Sequence, residues 1–345
     1  MALNATGQIS LAGTTAGQSI QLELGGNGTT TISLGDTAVR ALAGSAAGAA
    51  INLSNFYGKS KNPTVGIYYA GCTSTWVNTL TRINACGGII GTETSVGIGK
   101  LSSAGAKIGT NATFYGGFGG TGQYLNTLTR INSTGALVGS ETTIACVGFS
   151  RAGAAVGTIG VYYGGYFCCF VYCQVVRVNA CGAQVGSLTN VTPARFEFGG
   201  ASVGSNGLFW GGFYALPMNN ATRINSCGVK VGSCTNVGTA RSGIAGARVG
   251  ANGLFYAGAS CFGCTSTVTR INACGALVGS ETTVSTVRYC HAGSQVGSNG
   301  LFYGGLNNDT SLVLNEAVRI NACGALVGSV TNVGTARTGV GGASL

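Results

Sequence analysis

The stretch Val237–Glu281, VGTARSGIAGARVGANGLFYAGASCFGCTSTVTRINACGALVGSE, is the unit from which most of this 345-residue chain is built. Near-copies of it fill everything after about residue 62. The landmark Arg-Ile/Val-Asn begins at Arg82, Arg130, Arg177, Arg223, Arg270 and Arg319, in steps of 48, 47, 46, 47 and 49 residues. A period in the forties with several short strands per unit is the signature of a β-propeller.

The unit reads as four antiparallel strands. Ser242–Val249 is a strand rich in small residues, and Gly250–Gly253 is a tight turn, because Asn-Gly tolerates positive φ. Leu254–Gly258 is an apolar strand, followed by a variable loop. Ser266–Asn272 is the third strand, and Ala273–Gly275 turns the chain into the fourth, Ala276–Thr283. Four such strands make one blade. The repeats begin at a second strand, Val65–Ala70, and stop after a first strand, Gly339–Leu345. The last strand therefore completes the blade opened by residue 65, which closes a ring of six blades and removes two free sheet edges. The expected fold is all-β, with residues 62–345 forming the propeller.

The unit resembles the kelch repeat. The matching features are paired glycines after the second strand (Gly116-Gly117, Gly164-Gly165, Gly211-Gly212, Gly304-Gly305), the aromatic before them, and the Arg before the first strand. Two blades read Ala-Gly instead, at Ala70-Gly71 and Ala257-Gly258. The usual kelch tryptophan near the fourth strand is missing, so the repeat is a divergent, kelch-like form. Small residues on the inner strands suit a crowded axis where backbones approach closely.

Residues 1–61 do not share the repeat. Thr29–Leu34 alternates like a strand, Asp36 suits an N-cap for a short helix over Thr37–Ala43, and Gly44 suits its end. Asn62-Pro63 marks a linker. The pattern ISLGDTAVRALAG…INLSNFYGKS resembles a small N-terminal α+β module found on structural proteins of tailed bacteriophages, often tail or fibre components. The resemblance covers about one sixth of the chain. It implies that residues 1–61 attach the chain to other virion proteins, that the chain is oligomeric in the particle, and that it is assembled in the host cytoplasm.

Composition narrows the classes. Low charge (8%) with 45% hydrophobic residues excludes disorder, and 62 glycines without a three-residue period exclude collagen. The net charge of +10 is set by the repeat rather than by a basic tract. Six of the cations are the arginines of Arg-Ile/Val-Asn; six more, Lys100, Arg151, Arg195, Arg241, Arg288 and Arg337, sit where repeats read Ala-Arg or similar. No run of consecutive basic residues exists, which argues against a nucleic-acid partner. No charged start precedes an apolar stretch as in a signal peptide, and no apolar run is long enough for a membrane span. Of fourteen cysteines, Cys86, Cys181, Cys227, Cys274 and Cys323 share one repeat position and read as small buried or turn residues, too far apart to bridge.

In a meandering blade the loops between strands two and three, and those between blades, lie on one face; the two short turns lie on the other. The short turns are uniform, whereas the loops between strands two and three differ in every blade. Those loops carry Trp76, Tyr124, Tyr166, Phe167, Phe170, Tyr172, Phe213, Tyr214 and Phe262. Variable aromatic loops on a rigid scaffold are the usual form of a binding surface. The aromatics would stack on sugar rings, and the Ala-Arg cations, nearer the axis, would meet carboxylate or phosphate groups. The competing assignments are packing between loops for the aromatics and bonds to neighbouring carbonyls or an acid for the cations. The Arg-Ile/Val-Asn ring, being uniform, suits scaffold better than recognition.

Catalysis has little to stand on. A single histidine, His291, rules out repeated triads and His-rich metal sites, and Cys261-Phe-Gly-Cys264 lacks a second pair at zinc spacing. Glycoside hydrolysis needs two close carboxylates. The propeller has six acids, of which Glu93, Glu141 and Glu281 are spread around the ring by the repeat, while Glu197 stands alone on an expected inner strand where an Arg would pair with it. The sequence therefore points to a non-enzymatic virion component without a cofactor, a tail fibre or tail-associated protein whose loops bind host surface polysaccharide. The alternative is a purely structural head-decoration or tail-connector protein.

Overall fold

The computed structural model describes residues 3–4, 6–15, 18–24, 27–43, 50–56, 65–284 and 286–345. The chain divides into two units, Met1–Thr64 and Val65–Leu345. Gly44, the Tyr57–Ser60 end of the INLSNFYGKS motif and the Asn62-Pro63 linker lie outside the described residues.

The first unit gathers two short helices, Ile20–Glu23 and Thr37–Ala43, and a 3-10 turn, Leu53–Phe56, around buried Ile9, Ile20, Val39, Leu42 and Phe56. Helix Thr37–Ala43 forms where it was expected. Helix Ile20–Glu23 was not anticipated; Ser19 caps it by accepting the Leu22 N–H at 3.2 Å. The strand expected over Thr29–Leu34 is absent. The N–H groups of Thr29 and Thr30 donate to Asn27 Oδ1 at 3.0 and 3.1 Å, so a side chain takes the donors a strand partner would need. The alternation reflects Ile32 and Leu34 packing on this small core instead.

The second unit is a six-bladed β-propeller. Each blade is a four-stranded antiparallel sheet in meander order. In the fifth blade the strands are Ala245–Val249, Asn252–Ser260, Gly263–Ile271 and Thr282–Thr283. The first and fourth are shorter than expected, because Gly243 and Gly279 sit at φ of 63° and 65° and interrupt the extended backbone. The first blade is completed from the far end of the chain: Gly341–Ser344 pairs with Val65–Cys72, matching Tyr69 with Gly341 and Gly66 with Ser344. The apolar core lies between blades, as where Leu208 and Trp210 of the fourth meet Phe255 and Ile271 of the fifth.

At the axis the inner strands meet through six glycines, Gly105, Gly153, Gly200, Gly246, Gly293 and Gly342. A Cβ on any of them would stand no more than 2.6 Å from the carbonyl oxygen of the glycine before it in the ring. No alternative residue fits without moving two backbones apart, so the ring closes at this radius only with glycine. Gly200→Ala is expected to lower the unfolding free energy by about 2–3 kcal/mol, as overpacking does in a rigid core. Denaturant titration checks this, and an unchanged midpoint would mean that the inner strands have slack.

Candidate binding face

The loop face is built on a latch repeated between blades. Each second strand carries a buried aromatic just before its Gly-Gly or Ala-Gly pair: Tyr69, Tyr115, Tyr163, Trp210, Tyr256 or Tyr303. Its polar tip donates to a carbonyl in the segment that leads to the next blade: Tyr69 to Ile98 at 2.7 Å, Trp210 to Val237 at 2.9 Å, Tyr256 to Thr286 at 2.7 Å. The next blade's cation then lies over that ring, Arg241 at 4.8 Å from Trp210 and Arg337 at 5.5 Å from Tyr303. The glycine pair after the aromatic is left-handed, with Gly164 and Gly165 at φ of 68° and 110°. A Cβ at Gly164 would lie 2.5 Å from the Arg195 carbonyl oxygen, so the pair lets the neighbouring chain come this close.

The six Ala-Arg cations are therefore buried, not displayed, and this corrects their assignment to the binding surface. Lys100, Arg195, Arg241, Arg288 and Arg337 are wholly inaccessible and Arg151 nearly so. Arg241 Nη1 donates to the carbonyls of Ala257 and Thr267 at 2.7 and 2.6 Å, and its Nη2 stands 3.4 Å from Glu281. Arg337 repeats this with Ala70, Thr79 and Glu93, while Arg288 pairs with Glu316. Arg195 has no carboxylate within ion-pair distance among the described residues and donates to the carbonyls of Gly211, Asn220 and Phe209. Blade by blade, the cation ties its own sheet to the aromatic of the preceding one. Arg151 reaches the same slot from three residues further along the chain. The Gly148 carbonyl takes the backbone bond that the Arg195 and Arg241 carbonyls take elsewhere, and the Arg151 guanidinium lies between the rings of Tyr115 and Tyr172 at 5.5 and 5.8 Å.

Just inside the cations the backbone closes a second ring. The N–H of Ser102 donates to Gly339, Gly339 to Cys290, Cys290 to Gly243, Gly243 to Glu197, Glu197 to Ser150 and Ser150 to Ser102, all at 2.6–3.0 Å. All six residues are left-handed, with φ between 53° and 63°. Glu197 is thus on this ring and not on the inner strand Gly199–Val203. Burial raises its carboxyl above the usual range, opposed by a hydrogen bond from Ser242 rather than by an arginine. Burial likewise pushes the Cys290 thiol up, with the Glu197 charge adding to it. His291 lies buried against Tyr256 and Phe302; burial first, then Arg288 and Arg241, hold it far below its ordinary pKa and so neutral.

Outside these rings an arc of half-exposed aromatics crosses the loop face from the first blade to the fourth. Trp76 meets Phe118 at 6.1 Å, and Phe118 meets Tyr124 and Phe149 at 5.2 and 5.9 Å. Tyr124 packs on Phe167 at 4.9 Å, Phe149 on Tyr166 at 5.7 Å, Tyr166 on Phe196 at 5.2 Å and Phe196 on Phe213 at 5.6 Å. Tyr172 stacks on Phe167 at 6.2 Å. So Trp76, Tyr124, Tyr166, Tyr172 and Phe213, proposed from sequence, converge. Phe170, Tyr214 and Phe262 do not: they project from hairpin tips, Phe262 fully exposed, with no ring partner among the described residues. Phe118, Phe149 and Phe196 belong to the arc but were missed. Phe149 and Phe196 lie in the segments between blades, and a signal existed, since Phe196 and Tyr289 each follow a buried arginine.

Among the described residues no group of three His, Cys, Asp or Glu converges to hold a metal ion. All fourteen cysteines are free. The five that share a repeat position are exposed turn residues; the Cys274 N–H, for instance, donates to Asn272 Oδ1 at 2.9 Å. No family model matches this chain, and no curated protein matches it.

Two tests address the latch. Among the described residues Lys100 bonds only Phe114 O and Thr129 Oγ1, at 3.2 and 2.9 Å, and burial lowers its pKa to about 8 against the opposing Glu141 charge. Lys100→Arg would restore the guanidinium bonds of the other slots, and thermal melting should show stabilisation of about 1 kcal/mol. Burial raises the carboxyls of Glu93 and Glu281, but bonds from Thr335 and Thr81 to the first, and from Thr269 and Thr239 to the second, with Arg337 and Arg241 nearby, bring both below the ordinary value. Their folded pKa lies under the unfolded one, so their contribution is complete above about pH 5 and is lost as pH falls through the folded value. Denaturant midpoints should decline below about pH 4, and Glu281→Gln should flatten that decline.

Proposed function

We propose that the chain is a non-enzymatic structural protein of a tailed-bacteriophage virion, a tail fibre or tail-associated component, whose propeller binds host surface polysaccharide along the aromatic arc. The observation that carries this is the continuity of the half-exposed rings from Trp76 to Phe213 on the face where the loops vary. Pyranose faces are apolar and stack on such rings, and edge-on neighbours fix ring orientation before a ligand arrives. The virion assignment is supported by the resemblance of ISLGDTAVRALAG…INLSNFYGKS to the phage N-terminal module, which would join residues 1–61 to other virion proteins. The non-enzymatic reading is supported by the acids: Glu93, Glu281 and Glu316 are committed to ion pairs within the latch.

One observation favours a second reading, a connector whose propeller docks on another virion protein. Phe170, Tyr214, Leu216, Phe262 and Leu312 are exposed apolar side chains at the tips of four successive hairpins. The two readings separate by mutation. If the arc holds glycan, Trp76→Ala and Tyr166→Ala each weaken binding of the chain to host cells by about tenfold, the scale of an aromatic hot spot, and Phe262→Ala leaves it unchanged. If both arc variants bind cells as well as the parent does, the polysaccharide reading fails. Loss of incorporation into particles in the Phe262→Ala variant would then favour the connector.

A further inference from the structure

The propeller's charges are sorted between its faces. Its six acids, Glu93, Glu141, Glu197, Glu281, Asp309 and Glu316, belong to the loop side: their carboxylates bond residues of the segments between blades, or, for Asp309, sit in a loop between strands two and three. The six latch cations offset them there. The remaining cations of the propeller are on the turn face: Lys107 and Arg248 near the ends of inner strands on opposite sides of the axis, Lys230 beside a turn, and the ring Arg82, Arg130, Arg177, Arg223, Arg270 and Arg319. No acid accompanies them among the described residues.

The arginines of this ring differ from those of the latch in what they bond. Each guanidinium lies between a glycine of its own blade and the turn glycine of the next. Those of Arg130 and Arg319, for example, lie against Gly139 and Gly182, and against Gly328 and Gly87. Bulkier residues would fill these slots: a Cβ at Gly186 would stand 2.5 Å from Arg177 Nη2. Arg82, Arg177 and Arg270 donate to single carbonyls at 3.5, 3.3 and 3.4 Å, long for a hydrogen bond. Arg130, Arg223 and Arg319 have no hydrogen bond, and none of the six an ion pair, among the described residues. The Nε atoms of Arg130, Arg177, Arg270 and Arg319 are shut off from solvent without a partner, as are those of the latch residues Arg151, Arg195 and Arg288, so the contrast lies in the Nη groups. A guanidinium is a fork of five donors that suits planar or tetrahedral oxyanions. Here six half-buried forks stand at equal steps around a rigid ring, and the donors within a ligand's reach are those of their Nη groups.

We propose that the turn face is a second binding surface and that it takes an acidic polysaccharide, whose carboxylate or sulfate groups enter the six slots between blades. Six equivalent, individually weak sites gain affinity together only from a ligand that repeats its charge along a chain. The chain must also bend to follow a ring, which a flexible glycan does and a stiff duplex, touching only a chord, does not. Nothing in this depends on the aromatic arc of the opposite face.

The test is binding of the full chain to heparin and to polygalacturonate, with neutral dextran and duplex DNA as comparators, across a salt series. The parent chain is expected to bind an acidic polysaccharide in preference to dextran, with affinity falling as salt rises. A triple variant in alternate blades, Arg130→Gln with Arg223→Gln and Arg319→Gln, should bind about tenfold more weakly and with a shallower salt dependence. Lys107→Gln with Arg248→Gln alters only exposed side chains, so it tests the face even if the triple variant folds poorly, and it should weaken binding severalfold. Trp76→Ala should change none of this. Absence of binding at low salt, equal binding by the parent and the Lys107/Arg248 variant, or preference for duplex DNA would each overturn the proposal.

Discussion

Six glycines meeting at one axis set the geometry on which the rest of the propeller depends. Close approach of the inner strands leaves no room for a Cβ, and that small radius brings successive blades near enough for aromatic, cation and carbonyl to meet across each junction. Once the radius is fixed, the backbone can close its own ring of six hydrogen bonds through left-handed residues. Chain closure at Gly341–Ser344 then joins the last turn of the ring to the first. Cooperativity here is circular: each blade presents an aromatic to the next and receives a cation from it, so no junction is terminal.

Burying six cations per propeller is tolerated because each is compensated locally. Carbonyls freed at the ends of second and third strands accept from the guanidinium, an aromatic face covers it, and in three slots a carboxylate completes the shell. A buried charge with one of these partners removed would be strongly destabilising, which makes the latch a device for fixing blade order and spacing as much as for stability. The slots are not identical. Lys100 fills one with fewer bonds, and Arg151 fills another from a displaced backbone position beside Gly148. The slot is thus defined by the space and the acceptors, and the chain supplies a cation to it by more than one route.

The same scaffold leaves two unlike faces. On the loop side charge is balanced internally, so what remains for a partner is the aromatic arc and the apolar hairpin tips. On the turn side uniform turns leave guanidinium groups held between glycines with most donors unused. The propeller thus carries an apolar-aromatic face and a cationic face, and the ring between them holds both in a fixed geometry.

The sequence by itself determined the repeat, the number of blades and the closure by the last strand, because a period near forty-seven residues and its phase at each end are properties of the chain alone. It also identified the loop face and most of the aromatic arc, since variability confined to one loop per repeat is visible without coordinates. Only the tertiary structure decided what the recurring positions of each repeat do. Lys100 and its five counterparts read equally well as a charged rim or as internal ties; their burial depends on an aromatic roughly thirty to forty residues earlier in the chain. Phe149 and Phe196 joined the arc for the same reason, being adjacent to it across a blade junction and not along the sequence. In the first unit, alternation over Thr29–Leu34 could not reveal that Asn27 would take the donors of Thr29 and Thr30. In each case periodicity fixes where a side chain stands along its own strand, while burial and bonding are set by the neighbouring blade or turn, whose distance in sequence carries no local signal.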